Sequence, residues 1–479
     1  MELTARRRFL VLAICCMSLL IVGLDITIVN VALPSIGRDL GAGVSGLQWV
    51  VDAYTVVLAS LLMLGGSTGD RLGRRRVFQA GLVLFTVGSL ICGLAPSLSW
   101  LIGARTLQAV GGSMLNPVAM SIITNTFTDP KERARAIGVW GATVGFSMAL
   151  GPVVGGLLVG SVGWQAIFWV NIPVGLAALV LAGLYIPESR APRPRRADPV
   201  GQLAVIVLLG SLTFGIIEAP TAGWGSAQSL LCFGLAASAL VVLLIVESRR
   251  SEPLIELRFF RSVPFAGATV IAVSGFAGLG GFLFLNTLFL QEVRDFSALR
   301  AGLCTLPMAL ATVVFSPLSG RLVGARGPRL PLVAAGLAMG TSALLLVGLS
   351  VHTPLWLLLL SYALFGVGFG MLNAPVTNTA VSGMPRAQAG VAAAVTSTSR
   401  QIGQTLGVAV IGSVVTSAVV GTFRTGFAQA SHIGWWIVVG CAMSVLVLGV
   451  ATTSVRARET AQRVFDRIED KERTAVNAS

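Results

Sequence analysis

The chain has 479 residues, of which 54% are hydrophobic and only 11% charged, with a mean hydropathy of +0.84. A soluble protein carries roughly 25% charged residues, so an ordinary soluble domain is excluded and a chain crossing a membrane many times is expected. The net charge of +14 raises a nucleic-acid reading, which the placement of the charges argues against below.

Arg6, Arg7 and Arg8 ahead of an apolar run have the look of a secretory signal, even a twin-arginine one. The run continues to Val29 with no small-residue cleavage site, so the first helix is expected to stay. A transmembrane helix needs about 20 mostly apolar residues. Fourteen segments qualify: 9–33, 46–66, 76–95, 98–122, 134–160, 165–186, 200–219, 228–247, 263–290, 299–322, 329–349, 355–380, 389–420 and 432–453. Residues 454–479 form a polar, charged tail.

Between the second and third segments lies Gly66-Ser-Thr-Gly-Asp70-Arg71-Leu-Gly73-Arg74-Arg75-Arg76. Such a cluster is too costly for lipid and marks the cytosolic face by the positive-inside rule. With the N-terminus inside, the cytosolic segments hold 28 Lys and Arg and the outer segments hold 4, with Arg105 and Arg400 inside helices. The basic excess therefore sets topology and faces anionic lipid, with both termini cytoplasmic and no nucleic-acid partner. The six cysteines fall in apolar runs without a Cys-x-x-Cys pair, and only two histidines exist. No metal site is expected.

The chain repeats itself. Gly111-Gly-Ser-Met-Leu-Asn116 returns as Gly368-Phe-Gly-Met-Leu-Asn373, and Gly138-Val139 with Gly151-x-x-x-Gly155 returns as Gly390-Val391 with Gly403-x-x-x-Gly407. Gly66, Gly73 and Arg75 match Gly320, Gly327 and Arg329 more weakly. The offset spans eight helices, an even number, so the copies run in parallel. The expected domains are a six-helix bundle over 1–187, a stiff cytosolic linker over 188–199, two inserted helices and a cytosolic loop over 200–261, a second six-helix bundle over 262–453, and a cytosolic tail over 454–479. Paired six-helix halves with a site at their interface are how many secondary transporters are built.

These motifs resemble the major facilitator superfamily, specifically its fourteen-helix drug:proton antiporter branch. The loop motif is matched at Gly66, Asp70, Arg71, Gly73, Arg74 and Arg75. Leu24-Asp25-Ile-Thr27-Ile-Val-Asn30-Val-Ala-Leu-Pro34 looks like the branch's helix 1 signature, and Trp164 to Pro173 with Asn171 also fits. Helix 4 carries Leu101, Arg105 and Gln108, with Ala109 for the usual glycine. Helix 5 carries Gly138 and Gly151-Pro152-x-x-Gly155-Gly156, with Ser147 for a usual glycine. The resemblance implies an all-α integral membrane protein of the major facilitator fold with 14 transmembrane helices. It implies a proton-coupled antiporter in the bacterial plasma (inner) membrane, exporting amphipathic drugs or antibiotics by alternating access. The runner-up is a dedicated exporter of one endogenous metabolite, an antibiotic, lipid or amino acid. The implied partners are small amphipathic substrates and membrane lipid, the expected state a monomer, and the energy source a proton gradient with no cofactor.

Glycines and Gly-Pro on helix 5 permit close backbone approach and a bend, and Asp70 is placed to pair with nearby arginines or cap a helix, which the family resemblance implies is a conformational latch. Ionisable residues at lipid depth are functional candidates by default. Those here are Asp25 in helix 1, Asp52 and Arg105 near the outer ends of helices 2 and 4, Glu218 closing helix 7, and Arg400 in mid-helix 13. A carboxylate in an apolar cavity can take up a proton near neutral pH. Asp25 is expected to be the main protonation site, tuned by Arg105, against a structural hydrogen bond to Thr27, Asn30 or a neighbouring helix. Asp52 and Glu218 lie nearer the interface, where solvated roles compete. Asn30, Gln108, Asn116, Asn373, Arg400 and Gln404 are candidate cavity residues, with interhelical bonding as the alternative. Phe276, Phe282, Phe284 and Phe289 either line an apolar pocket or serve packing. The three carboxylates leave room for a preference for cationic drugs. No phosphate-binding loop is present, and neither a channel's charged ring nor an enzyme's cluster of acid, base and nucleophile is found.

Overall fold

The computed structural model describes residues 4–191, 198–250, 253–382, 384, 388–421 and 423–477. Half of the expected linker, including Arg193, Arg195 and Arg196, and Arg386 of the basic count lie outside the described residues. Among the described residues the chain is helical, without a strand.

Thirteen helices are long and apolar enough to cross a membrane among the described residues. In chain order they begin with α1 (Ala5–Leu40), α2 (Val44–Leu72) and α3 (Arg74–Gly93). After α4 come α5 (Pro130–Ser161) and α6 (Ala166–Tyr185), then α7 (Pro199–Ala222) and α8 (Ala227–Arg249). The rest are α9 (Val263–Val293), α10 (Ala298–Arg326), α11 (Arg329–Val347), α12 (Leu355–Val381), α13 (Ala389–Ala418) and α14 (Phe423–Ala451). The segment expected at 98–122 is α4 (Leu98–Thr126), equally long at 29 residues but less apolar, since Arg105, Gln108, Ser113 and Asn116 lie along it. Each of the fourteen segments is thus a helix. The tail, which hydropathy marks only as polar, forms α15 (Val455–Asn477).

Helix ends depart from hydropathy where backbone chemistry sets them. Helix α1 continues seven residues past the expected end at 33, through Pro34, to Leu40. There Gly41 turns left-handed at φ 63° and its N–H caps the carbonyl of Gly37. The α2–α3 corner is Gly73 at φ 114°, a conformation L side chains rarely adopt. A Cβ at Gly73 would also lie 2.7 Å from the Glu188 carboxylate.

The packing repeats with a shift of eight helices. In the first half α1 packs on α5 and α6, α4 on α2 and α3, and α3 on α6; in the second, α9 packs on α13 and α14, α12 on α10 and α11, and α11 on α14. The halves meet along two symmetry-related seams, α2 with α13 and α5 with α10. Helix α7 lies against both α2 and α13, bridging one seam, and α8 packs on α7.

The two membrane faces differ. At the face opposite the arginine turn, one apolar cluster joins the halves, with Ile28, Leu33 and Ile36 of α1 beside Phe284, Leu288 and Leu290 of α9. Arg38 pairs with Glu292 at 2.9 Å, and Gln291 donates to the carbonyl of Val31 at 2.8 Å. Towards the basic face the cores separate. Val11, Ile14, Phe78 and Leu115 belong to the first half, and Phe265, Ala380 and Val395 to the second with Val464 of α15. Of the first half, only Met63 of α2 reaches the second cluster. The halves are therefore clasped at the far face and parted towards the basic one except along α2, where Met63 joins the second half's cluster and Val56 and Ala59 share a small cluster with Ile402 of α13.

Candidate functional site

Four helices of the first half bring polar side chains to one point at membrane depth. Helix α1 supplies Asp25, α4 supplies Arg105 and Gln108, α3 supplies Ser89, and the first turns of α6 supply Asn171; all five are buried. Arg105 Nη1 donates to Asp25 Oδ2 and, at 2.8 Å, to Gln108 Oε1. The Gln108 amide donates to Asp25 Oδ1 at 2.8 Å, and the Asn171 amide to the same oxygen at 3.2 Å. Ser89 accepts from Asn171 at 3.1 Å and from Gln108 at 3.3 Å, and donates to the carbonyl of Phe168 at 2.9 Å.

The spacing of Arg105 and Gln108, one helical turn apart, puts both on the face of α4 that meets α1. Arg105 Nε donates to the carbonyl of Val50 in α2 at 3.1 Å, and its guanidinium lies 4.2 Å over the Tyr54 ring. A buried charge is tolerated when paired and hydrogen-bonded. Here each charge has its countercharge, and both carboxylate oxygens are occupied. Thr27 and Asn30 do not take part: each donates to a carbonyl of its own helix, Leu24 at 3.1 Å and Ile26 at 2.9 Å. The partners of Asp25 are on neighbouring helices.

Asp52 differs. It is fully buried in α2, not at a solvated interface. Its Oδ1 accepts only from Thr55 at 3.4 Å, and Oδ2 has no partner. Thr405 of α13 in turn donates to the Thr55 hydroxyl at 2.8 Å. This run of hydroxyls connects Asp52 to the opposite half across the seam. One turn away Gln48 donates to the carbonyls of Val408 and Ala409 at 3.1 and 3.0 Å. Glu218, four residues inside the end of α7, accepts from Trp49 Nε1 at 2.7 Å and so ties α7 to α2.

At the basic face Asp70 Oδ1 accepts from Arg74 Nε at 3.0 Å and Nη2 at 2.9 Å. Glu188, which sequence reasoning missed, accepts from the Arg75 N–H at 3.1 Å and lies 3.7 Å from Arg76. Gly66 lies against Pro117 of α4, and Arg71 is exposed. All these contacts stay within the first half.

The glycines of α5 separate by position. Gly151 and Gly155 face Thr27 and Ile28 of α1, while Gly156 faces Leu299 of α10, where a Cβ would lie 2.6 Å from its Cα. The carbonyl of Pro152 meets Gly302 of α10. Gly138 faces open space, so close packing does not explain it.

Among the candidate cavity residues, Gln108 is part of the Asp25 cluster, and Asn30 and Gln404 are buried. Asn116, Asn373 and Arg400 are partly exposed. Phe282, Phe284 and Phe289 are buried in the core, with Phe282 stacked on Phe365 at 4.0 Å, so packing accounts for them. Besides Glu188, sequence reasoning did not single out Ser89 or Tyr54; their signal was a polar group inside an apolar run. No group of three or more His, Cys, Asp or Glu placed to hold a metal occurs among the described residues.

The profile of the Major Facilitator Superfamily covers residues 15–408. The chain is 40% identical over 410 residues to the multidrug resistance protein Stp of Mycobacterium tuberculosis (strain CDC 1551 / Oshkosh), covering 86% of this chain and 76% of that one. It is 36% identical over 414 residues to the tetracenomycin C resistance and export protein of Streptomyces glaucescens, covering 86% and 77%. It is 33% identical over 398 residues to a methylenomycin A resistance protein of Streptomyces coelicolor (strain ATCC BAA-471 / A3(2) / M145), covering 82% and 83%. Among solved structures, a bacterial homolog to human lysosomal transporter Spinster, in an inward-facing and unoccupied conformation, superposes with a TM-score of 0.62 over 97% of this chain and 99% of that one, at 18% identity.

Proposed function

We propose, for a chain that belongs to the Major Facilitator Superfamily, that it is a proton-coupled antiporter exporting amphipathic drugs or antibiotics by alternating access. The chain is a multi-pass membrane protein with a transport role rather than an enzymatic one. Drug export is supported by relatives whose names are those of resistance and export proteins. Placement in a bacterial plasma membrane, with both termini in the cytoplasm, is supported by the 28-to-4 distribution of basic residues.

The observation that carries proton coupling is the pair of unlike buried carboxylates. Asp25 is closed by Arg105. Asp52 is buried and, among the described residues, has no countercharge. An uncompensated carboxylate in a membrane interior is costly, and taking up a proton removes that cost. Asp52 holds the proton in the state described, and its link through Thr55 to Thr405 ties release to movement of α2 against α13. Withdrawal of Arg105 frees Asp25 for its part in coupling. The parted end of the bundle opens to the cytosol, where substrate enters.

The test is substrate-driven proton movement in proteoliposomes under an imposed pH gradient, wild type beside Asp25→Asn and Asp52→Asn. Several unrelated amphipathic compounds are expected to release protons in the wild type, and each variant is expected to lose that release. Response to a single compound would favour the dedicated-metabolite exporter. Unchanged proton movement in both variants would remove the coupling role from these carboxylates.

A further inference from the structure

Arg400 is a cation at membrane depth that the coupling machinery does not use. Its Nη2 donates to the Thr377 hydroxyl and, at 3.4 Å, to the carbonyl of Asn373, both on α12. Its Nε has no partner, and no carboxylate pairs with it among the described residues. The fold does not require a charge at this place. Gly151 and Gly403 occupy matching positions in the repeat, so the counterpart of Arg400 in α5 is Met148. An unpaired cation retained in the lipid-depth part of a bundle faces a cavity and marks a substrate path.

The surroundings indicate what it meets. Its guanidinium lies 6.0 Å from the Phe276 ring, which meets Phe369 edge-on at 5.2 Å. Gln401 and Asn373 are partly exposed beside it, and the Gln401 side-chain oxygen has no partner. Arg400 lies in the half of α13 nearer the basic face, where the two halves part. The carboxylates are withdrawn from this space: Asp25 is closed by Arg105, Asp52 is fully buried, and Glu218 is held by Trp49. The charge facing the parted end is positive, which turns the expected substrate preference away from cationic drugs.

We propose that Arg400, with the Phe276 and Phe369 rings beside it, forms a subsite for the acidic group of an aromatic substrate, a carboxylate or similar oxyanion. The inference rests on the transport reading above but not on its proton coupling. A lipid headgroup phosphate offers Arg400 the same chemistry, and the test separates the two sources.

The experiment measures binding of an aromatic carboxylic acid (naphthoic acid) and its methyl ester to purified protein in nanodiscs of phosphatidylcholine, and again with phosphatidylglycerol added. A charge-assisted pair distinguishes acid from ester by about tenfold or more. The wild type is expected to favour the acid by that factor in both lipids. Arg400→Gln is expected to lose the preference while keeping the ester affinity, and Arg400→Lys to retain part of it. If Arg400→Gln fails to fold, Arg400→Met substitutes the residue type found in the counterpart slot. Equal binding of acid and ester by the wild type, or a preference unchanged on removing the charge, overturns the proposal. Acid binding lost only with phosphatidylglycerol assigns Arg400 to the phosphate of an anionic lipid headgroup and overturns it too. Binding needs no gradient and no turnover, so failure of proton coupling leaves this result separate.

Discussion

Asp25 uses both carboxylate oxygens inside the first half, and Arg105 is held by two other helices, through Asp25 of α1 and through the Val50 carbonyl and the Tyr54 ring of α2. Removing one member of such a pair leaves the other charge buried and alone, which typically costs about 3–5 kcal/mol. Arg105→Gln is therefore expected to lower the thermal stability of the purified protein strongly at neutral pH. Adding Asp25→Asn is expected to return much of the loss, a coupling that a double-mutant cycle reads directly. The second half has no such demand. The repeat places Tyr362 at the position of Arg105 and Phe365 at that of Gln108. There the Tyr362 hydroxyl donates to Asn286 at 2.6 Å, and the Phe282 ring meets the Tyr362 ring at 5.4 Å. One half is organised around a charge pair, the other around neutral rings.

At the scale of the helix, α5 shows why glycines in one motif are not equivalent. Gly151 admits α1, Gly156 admits α10, and Gly138 faces open space. A methyl group at a close backbone approach forces a shift costing about 1–3 kcal/mol. Gly151→Ala is expected to reduce folded yield and export, whereas Gly138→Ala is expected to leave the folded yield unchanged; detergent-extracted protein monitored by gel filtration checks both. Comparable losses from both would mean that helix stiffness matters more than the packing seen here. The same scale explains the α2–α3 corner. Gly73 provides the backbone turn, and Glu188 binds the far side of it, so the arginine cluster is fastened to the end of α6 and not left as a loose topology marker.

For the whole molecule, the closed face is where the halves bind each other through Arg38 and Glu292, Gln291 and the Val31 carbonyl, and the approach of Pro152 to Gly302. The proposed alternating access requires these groups to separate. Cross-linking an Arg38→Cys, Glu292→Cys protein with a short bis-maleimide is expected to stop export, while each single variant treated identically stays active. Continued export after cross-linking would show that this face does not open. Helix α7 sits across the α2–α13 seam, held to α2 by Glu218 and Trp49, by Gln202 donating to the Ser60 carbonyl at 2.6 Å, and to α13 by Ser413 donating to the Ile216 carbonyl at 2.7 Å. The inserted pair is therefore a strap over one seam, which no count of apolar residues reveals.

The sequence by itself determined the number of helices, their parallel duplication and the family. Partitioning of a segment into lipid depends on its own composition, and the glycine and arginine motifs are local in the chain. Even α4 was found, though Arg105 and Gln108 depress its hydropathy, because the run over 98–122 is still long and mostly apolar. Asp25 and Arg105 could be nominated together because ionisable groups are rare at that depth. The tertiary structure alone decided what they touch. Asp25 meets partners 80 and 146 residues away, on helices whose rotation about their axes hydropathy does not encode. It alone distinguished Asp52, buried and uncompensated, from Glu218, engaged by Trp49, and withdrew Gln108 from the cavity. The physical reason is that the energy of a buried polar group depends on whether partners reach it, and interhelical packing sets which ones do.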